Sequence, residues 1–168
     1  GEAAVYSGTD PDNASTWSLV GVFQIGRPIG RRCMIKSGGS LVMITEDGFV
    51  DAASILSVDR ARSENVAISK QINDAVNSAV QSYGTLFGWQ PILYSKGQML
   101  IFNIPISTTT AHQYVFNSLT NAPCRFKDLD AVCWGMKGDD IFFGTSAGTV
   151  VEFNGTNADG EIYLSDDG

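Results

Sequence analysis

A chain of 168 residues with 43% hydrophobic content is long enough for one ordinary core and too apolar to stay disordered. Its 18 glycines and a charged fraction of only 17% suit a turn-rich β protein. A formal net charge of −7 argues against a surface built to neutralise phosphates, and no 18-residue apolar run or basic-then-apolar opening marks a membrane span or signal segment.

In chain order, Glu2-Ala3-Ala4-Val5-Tyr6 reads as the middle of a sheet, which leads to the expectation that the chain is a piece of a larger protein. The polar loop Ser7 to Ser15 follows, with Pro11 setting a turn and Asp and Asn supplying side-chain capping bonds. Trp17 to Phe23 returns as a strand. Within that loop, Asp12-Asn13-Ala14-Ser15-Thr16-Trp17 resembles the Asp-box turn of sialidase-like propellers, with Ala14 where glycine is usual. That likeness implies a propeller-type turn and no glycosidase.

Arg31 to Ser37, Leu41 to Thr45 and Phe49 to Ala53 predict three short strands, with turns at Gly38-Gly39 and Glu46-Asp47-Gly48. After Ser54 the period changes. Ile68, Ile72, Ala75, Val76, Ala79, Val80 and Tyr83 recur at three and four residues, which predicts one inserted amphipathic helix over about 64–83, capped by Ser63 or Ser69 and closed by Gly84. Its polar face carries Lys70, Gln71, Asn73, Asp74, Asn77, Ser78 and Gln81. A solvated face explains that set. Because its members are mostly uncharged and lose less on burial, Lys70, Gln71, Asn77 and Gln81 are also candidates for a subunit contact.

Strands are predicted at Trp89 to Ser95, Met99 to Ile104, His112 to Asn117 and Pro123 to Phe126, then at Ala131 to Lys137, Ile141 to Gly144, Thr149 to Phe153 and Glu161 to Leu164. The stretches 38–50 and 138–150 share one grammar: a turn, an apolar run, a polar turn closed by glycine, a second apolar run. Gly97 to Asn103 opens a weaker third copy. Strand-turn-strand units recurring in this way predict a mainly β, propeller-like array of small antiparallel sheets with one inserted helix. Its expected parts are a partial blade (1–26), a blade (27–56), a helical insertion (57–86) and two further blades (87–128 and 129–168).

No constellation for catalysis stands out. The single histidine, His112, lies in a strand pattern beside Gln113 and Tyr114, so a Ser-His-Asp arrangement has no base. Glu46, Asp47, Asp139 and Asp140 occupy repeat turns, where acidic residues do structural work. No glycine-rich loop leads into a helix to cradle phosphate. Cys33, Cys124 and Cys133 lack metal-ligand spacing, and Cys33 and Cys133 fit buried thiols acting as small hydrophobes. The expectation is therefore a non-enzyme with no metal and no cofactor.

Two features weigh toward binding. Arg27, Arg31, Arg32 and Lys36 fall within ten residues, with Arg60 and Arg62 later. Solvated strand ends account for such charges. The sharper alternative is contact with an acidic partner or nucleic acid, through Arg27, Arg31 and Arg32. Trp17, Trp89 and Trp134, about one per unit, suit packing anchors between sheets, or a sugar platform if two of the rings are exposed together.

The runs Val5 to Pro11 and Trp17 to Gly21, Gly30-Arg31-Arg32-Cys33 with Gly39, Leu41, Thr45, Asp47 and Gly48, then Phe87-Gly88-Trp89-Gln90 and Gln113 to Asn117, resemble proteins encoded among the virion genes of tailed bacteriophages and prophages. The likeness covers nearly the whole chain. It implies a structural component of the tail or head-to-tail connector, made in the bacterial cytoplasm and carried in the virion. Its partners would be other virion proteins, including copies of itself in a ring, with no membrane role. The alternative it leaves open is a receptor- or glycan-binding module at the tail periphery. It carries no assigned functional residue with it.

Overall fold

The computed structural model describes residues 1–57, 68 and 72–153. The fold is mainly β, with four small antiparallel sheets and two helices among the described residues. β1 (Glu2–Gly8) and β2 (Trp17–Gln24) form a two-stranded sheet. β3 (Met34–Ser37), β4 (Ser40–Thr45) and β5 (Gly48–Asp51) form a second. β6 (Gln90–Tyr94), β7 (Met99–Pro105), β8 (Ala111–Asn117) and β9 (Pro123–Phe126) form a third, and β10 (Ala131–Lys137), β11 (Asp140–Thr145) and β12 (Val150–Phe153) a fourth. Every sheet runs as a meander, each strand beside the next in the chain. The described strands close into no barrel or ring.

The turns sit where glycine permits them. The pairs Ser37↔Ser40, Thr45↔Gly48 and Lys137↔Asp140 flank two-residue turns. Gly48 adopts φ 117° and Gly138 φ 62°, conformations that cost an L side chain strain. The buried Thr45 seals its hairpin by donating its hydroxyl to the Gly48 carbonyl at 3.1 Å.

The β6–β9 sheet is buried on both faces, which explains its near-continuous apolar strands. One face sends Leu100, Phe102, Ile104, Tyr114 and Phe116 into a core shared with Val42, Ile44 and Phe49 of the second sheet and Val76 and Ala79 of a helix. Phe49 stacks on Phe102 with ring centres 3.8 Å apart and planes at 3°. The other face sends Ile92, Tyr94, Ile101, Val115 and Phe126 against Ala131, Trp134, Ile141 and Phe143 of the fourth sheet. Neither core draws on β1 or β2.

A row of three amides crosses the face that meets the fourth sheet. Gln90 pairs with Asn103 across β6 and β7, and Asn103 with Gln113 across β7 and β8. Asn103 and Gln113 are fully buried. The Asn103 amide donates to the carbonyls of Gly88 (2.9 Å) and Ala131 (3.0 Å), while Gln113 Nε2 donates to Asn103 Oδ1 (2.8 Å) and the Leu129 carbonyl (2.9 Å). Gln90 donates to the Trp134 carbonyl (2.9 Å) and accepts from the Trp134 N–H (3.0 Å). These bonds stitch β10 and its approach onto the third sheet, so the amides replace water that burial removed.

Several expectations need correction. The strand expected from Arg31 begins only at Met34, because Gly30 (φ 81°) turns the chain hard against Trp89 and Arg31-Arg32 form a turn. The strand expected through Ala53 ends at Asp51 and gives way to α1 (Ala52–Ser57), so one inserted helix is not the full count. The cause is local. The Asp51 carboxylate accepts from the Ala53 N–H and the Ser54 hydroxyl (both 3.3 Å), and Ser40 Oγ accepts from the same N–H (3.1 Å), capping the first turn.

α2 (Asn73–Tyr83) occupies the later part of the expected 64–83 helix, while residues 58–67 and 69–71 lie outside the described residues, including the expected caps Ser63 and Ser69. Ala75 faces solvent rather than the core. Gly84 does close α2, but in ordinary right-handed conformation (φ −58°). It is needed because a Cβ there would meet the Val80 carbonyl oxygen at 2.5 Å. Cys33 is buried as expected, whereas Cys133 is half-buried and Cys124 exposed, and all three are free thiols. The expected strand Glu161 to Leu164 lies outside the described residues.

Candidate functional site

Gly30 places the Arg31-Arg32 turn against the start of β6. A Cβ at Gly30 would lie 2.9 Å from Trp89 Cβ, so only glycine lets the two segments approach this closely. Trp89 is itself immobilised: it is 2% exposed, and its indole N–H donates to the Tyr83 carbonyl at the end of α2 (2.9 Å). The result is a cleft of about 310 Å3 whose walls are the Arg31-Arg32 turn, the loop Gly84 to Gly88, and Gln90 and Val132 at the starts of β6 and β10. Phe87 stands at its rim, 69% exposed. Among the described residues the lining contains no carboxylate.

The expected arginine cluster therefore divides. Arg27 is occupied: its guanidinium lies 3.4 Å from Glu46 Oε2 and its backbone N–H donates to Glu46 Oε1 at 3.1 Å. That N–H holds the Glu46 carboxyl below its ordinary value; desolvation opposes it, and the guanidinium charge adds to the lowering. Arg31 and Arg32 are exposed and form no ion pair among the described residues. Of the helix candidates, Gln81 is exposed on α2, and Asn77 is half-buried with a shielded Oδ1 that has no partner among the described residues. Lys70 and Gln71 lie outside the described residues.

The turn carboxylates do not converge. Glu46 and Asp47 sit between β4 and β5, while Asp139 and Asp140 sit at the β10–β11 turn, where Asp140 accepts from Lys96 Nζ at 3.0 Å. No group of three His, Cys, Asp or Glu side chains able to hold a metal exists among the described residues. A second cleft of about 240 Å3 includes Ser40, Asp51 and Ser54 in its lining, and these three are tied together by the Ser40–Asp51 hydrogen bond and the α1 cap.

His112 is half-buried on β8. Burial pushes its imidazole below its ordinary value of 6.5; the nearby Arg125 and Lys127 charges act in the same direction, and Asp128 and Asp130 oppose it. The folded chain thus takes up this proton less readily than the unfolded one. Stability from the neutral ring is present above the ordinary value and is lost as pH falls through the lowered one. The urea midpoint is expected to fall modestly between about pH 7 and about pH 5, and less so in His112→Gln. Equal falls in both proteins would clear His112 of the effect.

The aromatic side chains sort in the same physical way. Trp89 and Trp134 are buried anchors between sheets, and only Trp17 is partly exposed, stacked on Tyr6 at 6.0 Å and 7°. The preceding loop is tied by Asp10, which accepts from the Asp12 N–H, and by Asn13, which accepts from Ser15, rather than by Asp12 as an Asp box would have it.

The second unusual surface is the β1–β2 sheet. Tyr6 and Leu19 are each 51% exposed, Val20 60% and Val22 45%. Val22 pairs with Ala4, and Tyr6 with Leu19 across a bulge. Two-stranded sheets are marginal on their own, and this one leaves four large apolar side chains exposed. The strand pattern did not announce it, since the same apolar residues would read identically in a covered sheet.

No family model, no curated protein and no solved structure matches this chain. No helix among the described residues is long and apolar enough to cross a membrane.

Proposed function

We propose that this chain is a non-catalytic assembly module, a structural component of the tail or head-to-tail connector of a tailed bacteriophage, built as a propeller-like array of sheets. The observation that carries the assembly reading is the exposed apolar residues Tyr6, Leu19, Val20 and Val22 of the β1–β2 sheet, on a chain whose two cores lie elsewhere. The propeller-like reading is supported by the meander order of every sheet and by packing of β3 on β6 and of β6 on β10. Those are the first strands of successive sheets, and first strands gather at the centre of a radial array. The virion assignment rests on the resemblance of the sequence.

Native mass spectrometry of this chain tests the assembly reading. A ring of several copies is expected, and Val20→Asp with Val22→Asp is expected to release folded monomers, because a desolvated carboxylate in such an interface is strongly unfavourable. A chain that stays monomeric at millimolar concentration and keeps its mass in the double variant would end this reading.

The Tyr6–Trp17 stack favours a second reading, a glycan- or receptor-binding module at the tail periphery, since an exposed aromatic ring offers a face to a sugar. Glycan-array binding lost in Tyr6→Ala would favour it over assembly.

A further inference from the structure

We propose that the cleft between the Arg31-Arg32 turn and the Gly84 to Gly88 loop binds a short acidic peptide segment carrying an aromatic or aliphatic side chain, presented by a neighbouring polypeptide. This site is separate from the β1–β2 sheet and does not depend on the virion reading.

Charge selects the first feature of the ligand. On a chain of net charge −7, the consecutive and exposed Arg31 and Arg32 find no carboxylate partner among the described residues, and the described lining of the cleft contains none. Arginine forks bind carboxylates with two parallel hydrogen bonds, so two neighbouring forks suit two acidic side chains. The neighbouring Arg27 is excluded, since Glu46 already holds it.

Apolar surface selects the second feature. Phe87 projects at the rim with most of its ring in water, beside the half-buried Leu86. An exposed phenylalanine next to a cationic pair is a place for one more apolar group to stack. The walls are preorganised: Gly88 holds φ 120°, and Trp89 is buried and hydrogen-bonded behind the loop. Little ordering is therefore left for the ligand to impose.

The third feature separates a peptide from a nucleic acid. Gly84 and Thr85, at the end of the 11-residue α2, bring the partly negative terminus of a helix into the wall. That end disfavours a ligand carrying a row of phosphates more than one carrying only two carboxylates. The overall negative charge of the chain adds to the repulsion. A cleft of about 310 Å3 also holds two or three side chains rather than a polymer groove.

An array of octapeptides, in which two acidic positions and one aromatic position are varied independently, tests the proposal on the full chain, with affinities read by fluorescence anisotropy. Peptides holding both features are expected to bind. Replacing their Asp by Asn, or using Arg31→Glu with Arg32→Glu, is expected to weaken binding by about tenfold or more, and Phe87→Ala by roughly three- to tenfold. All three side chains are exposed, so unchanged urea midpoints are expected to accompany these losses. The proposal is overturned if acidic and amide peptides bind alike, if the arginine variants bind as the parent does, or if a single-stranded DNA octamer binds more tightly than the best peptide.

Discussion

Phe49→Ala is expected to cost about 3–5 kcal/mol of folding stability, the usual range for removing a fully buried phenylalanine. Phe49 is 0% exposed and stacks on Phe102 at 3.8 Å, meets Phe116 edge-on at 6.3 Å and lies tilted against Tyr114 at 6.3 Å. It is the ring through which the second sheet grips the third. Truncation removes its transfer free energy and leaves a cavity bounded by sheets too stiff to collapse fully. For a chain of this size the melting temperature is expected to fall by roughly 6–20 °C. Leu41→Ala, at an exposed position of β4, the strand that pairs with β5, is the control and is expected to change stability by less than about 0.5 kcal/mol. A loss below about 1 kcal/mol for Phe49→Ala in urea unfolding would contradict the packing of these two sheets.

Asn103→Leu is expected to be comparably damaging although leucine is the more hydrophobic residue. Asn103 is fully buried and its amide serves two carbonyls, Gly88 and Ala131, while its oxygen accepts from Gln113. Leucine has nearly the right volume and restores none of these bonds. Each stranded buried group costs about 1–3 kcal/mol, so two carbonyls place the loss at roughly 2–6 kcal/mol. Gln113 would retain its bond to the Leu129 carbonyl, which makes the pair a suitable double-mutant cycle. A coupling of about 0.5–3 kcal/mol between Asn103→Leu and Gln113→Leu is expected, and additive losses would show that the row does not act as a unit. The change also reaches the cleft, because Gly88 lines it and Ala131 adjoins Val132. Weaker peptide binding by Asn103→Leu than by the parent, measured where both are folded, is the expected accompaniment.

The turns were legible because their chemistry is short-range. Gly48 and Gly138 hold positive φ, and two-residue turns at 38–39, 46–47 and 138–139 need nothing beyond the residues in them. The apolar face of α2 was readable in the same way, with Val76 and Ala79 buried at helical spacing, although Ala75 showed that periodicity locates a face only to within a residue. α1 escapes the sequence pattern because the strand expected from Phe49 runs on through Ala52 and Ala53, where the carboxylate of Asp51, the last residue of β5, caps a helix with help from Ser40, eleven residues earlier in the chain.

The candidate sites were legible only in part. Arg27, Arg31 and Arg32 look equivalent in sequence, and a contact to Glu46 nineteen residues away is what separates them. Gln90, Asn103 and Gln113 looked like ordinary polar positions in apolar strands, and their meaning depends on two strand registers placing them in one row.

Strand-forming character, turn positions, acidic balance and the helical period after Ser54 are properties of neighbouring residues, and the amino-acid order alone determined them. Which faces are sealed, that Glu46 holds Arg27 but neither Arg31 nor Arg32, and that Phe87 and Arg31 line one cleft were decided by the tertiary structure. Those outcomes depend on hydrogen bonds and packing between segments tens of residues apart, for which no local pattern carries a signal.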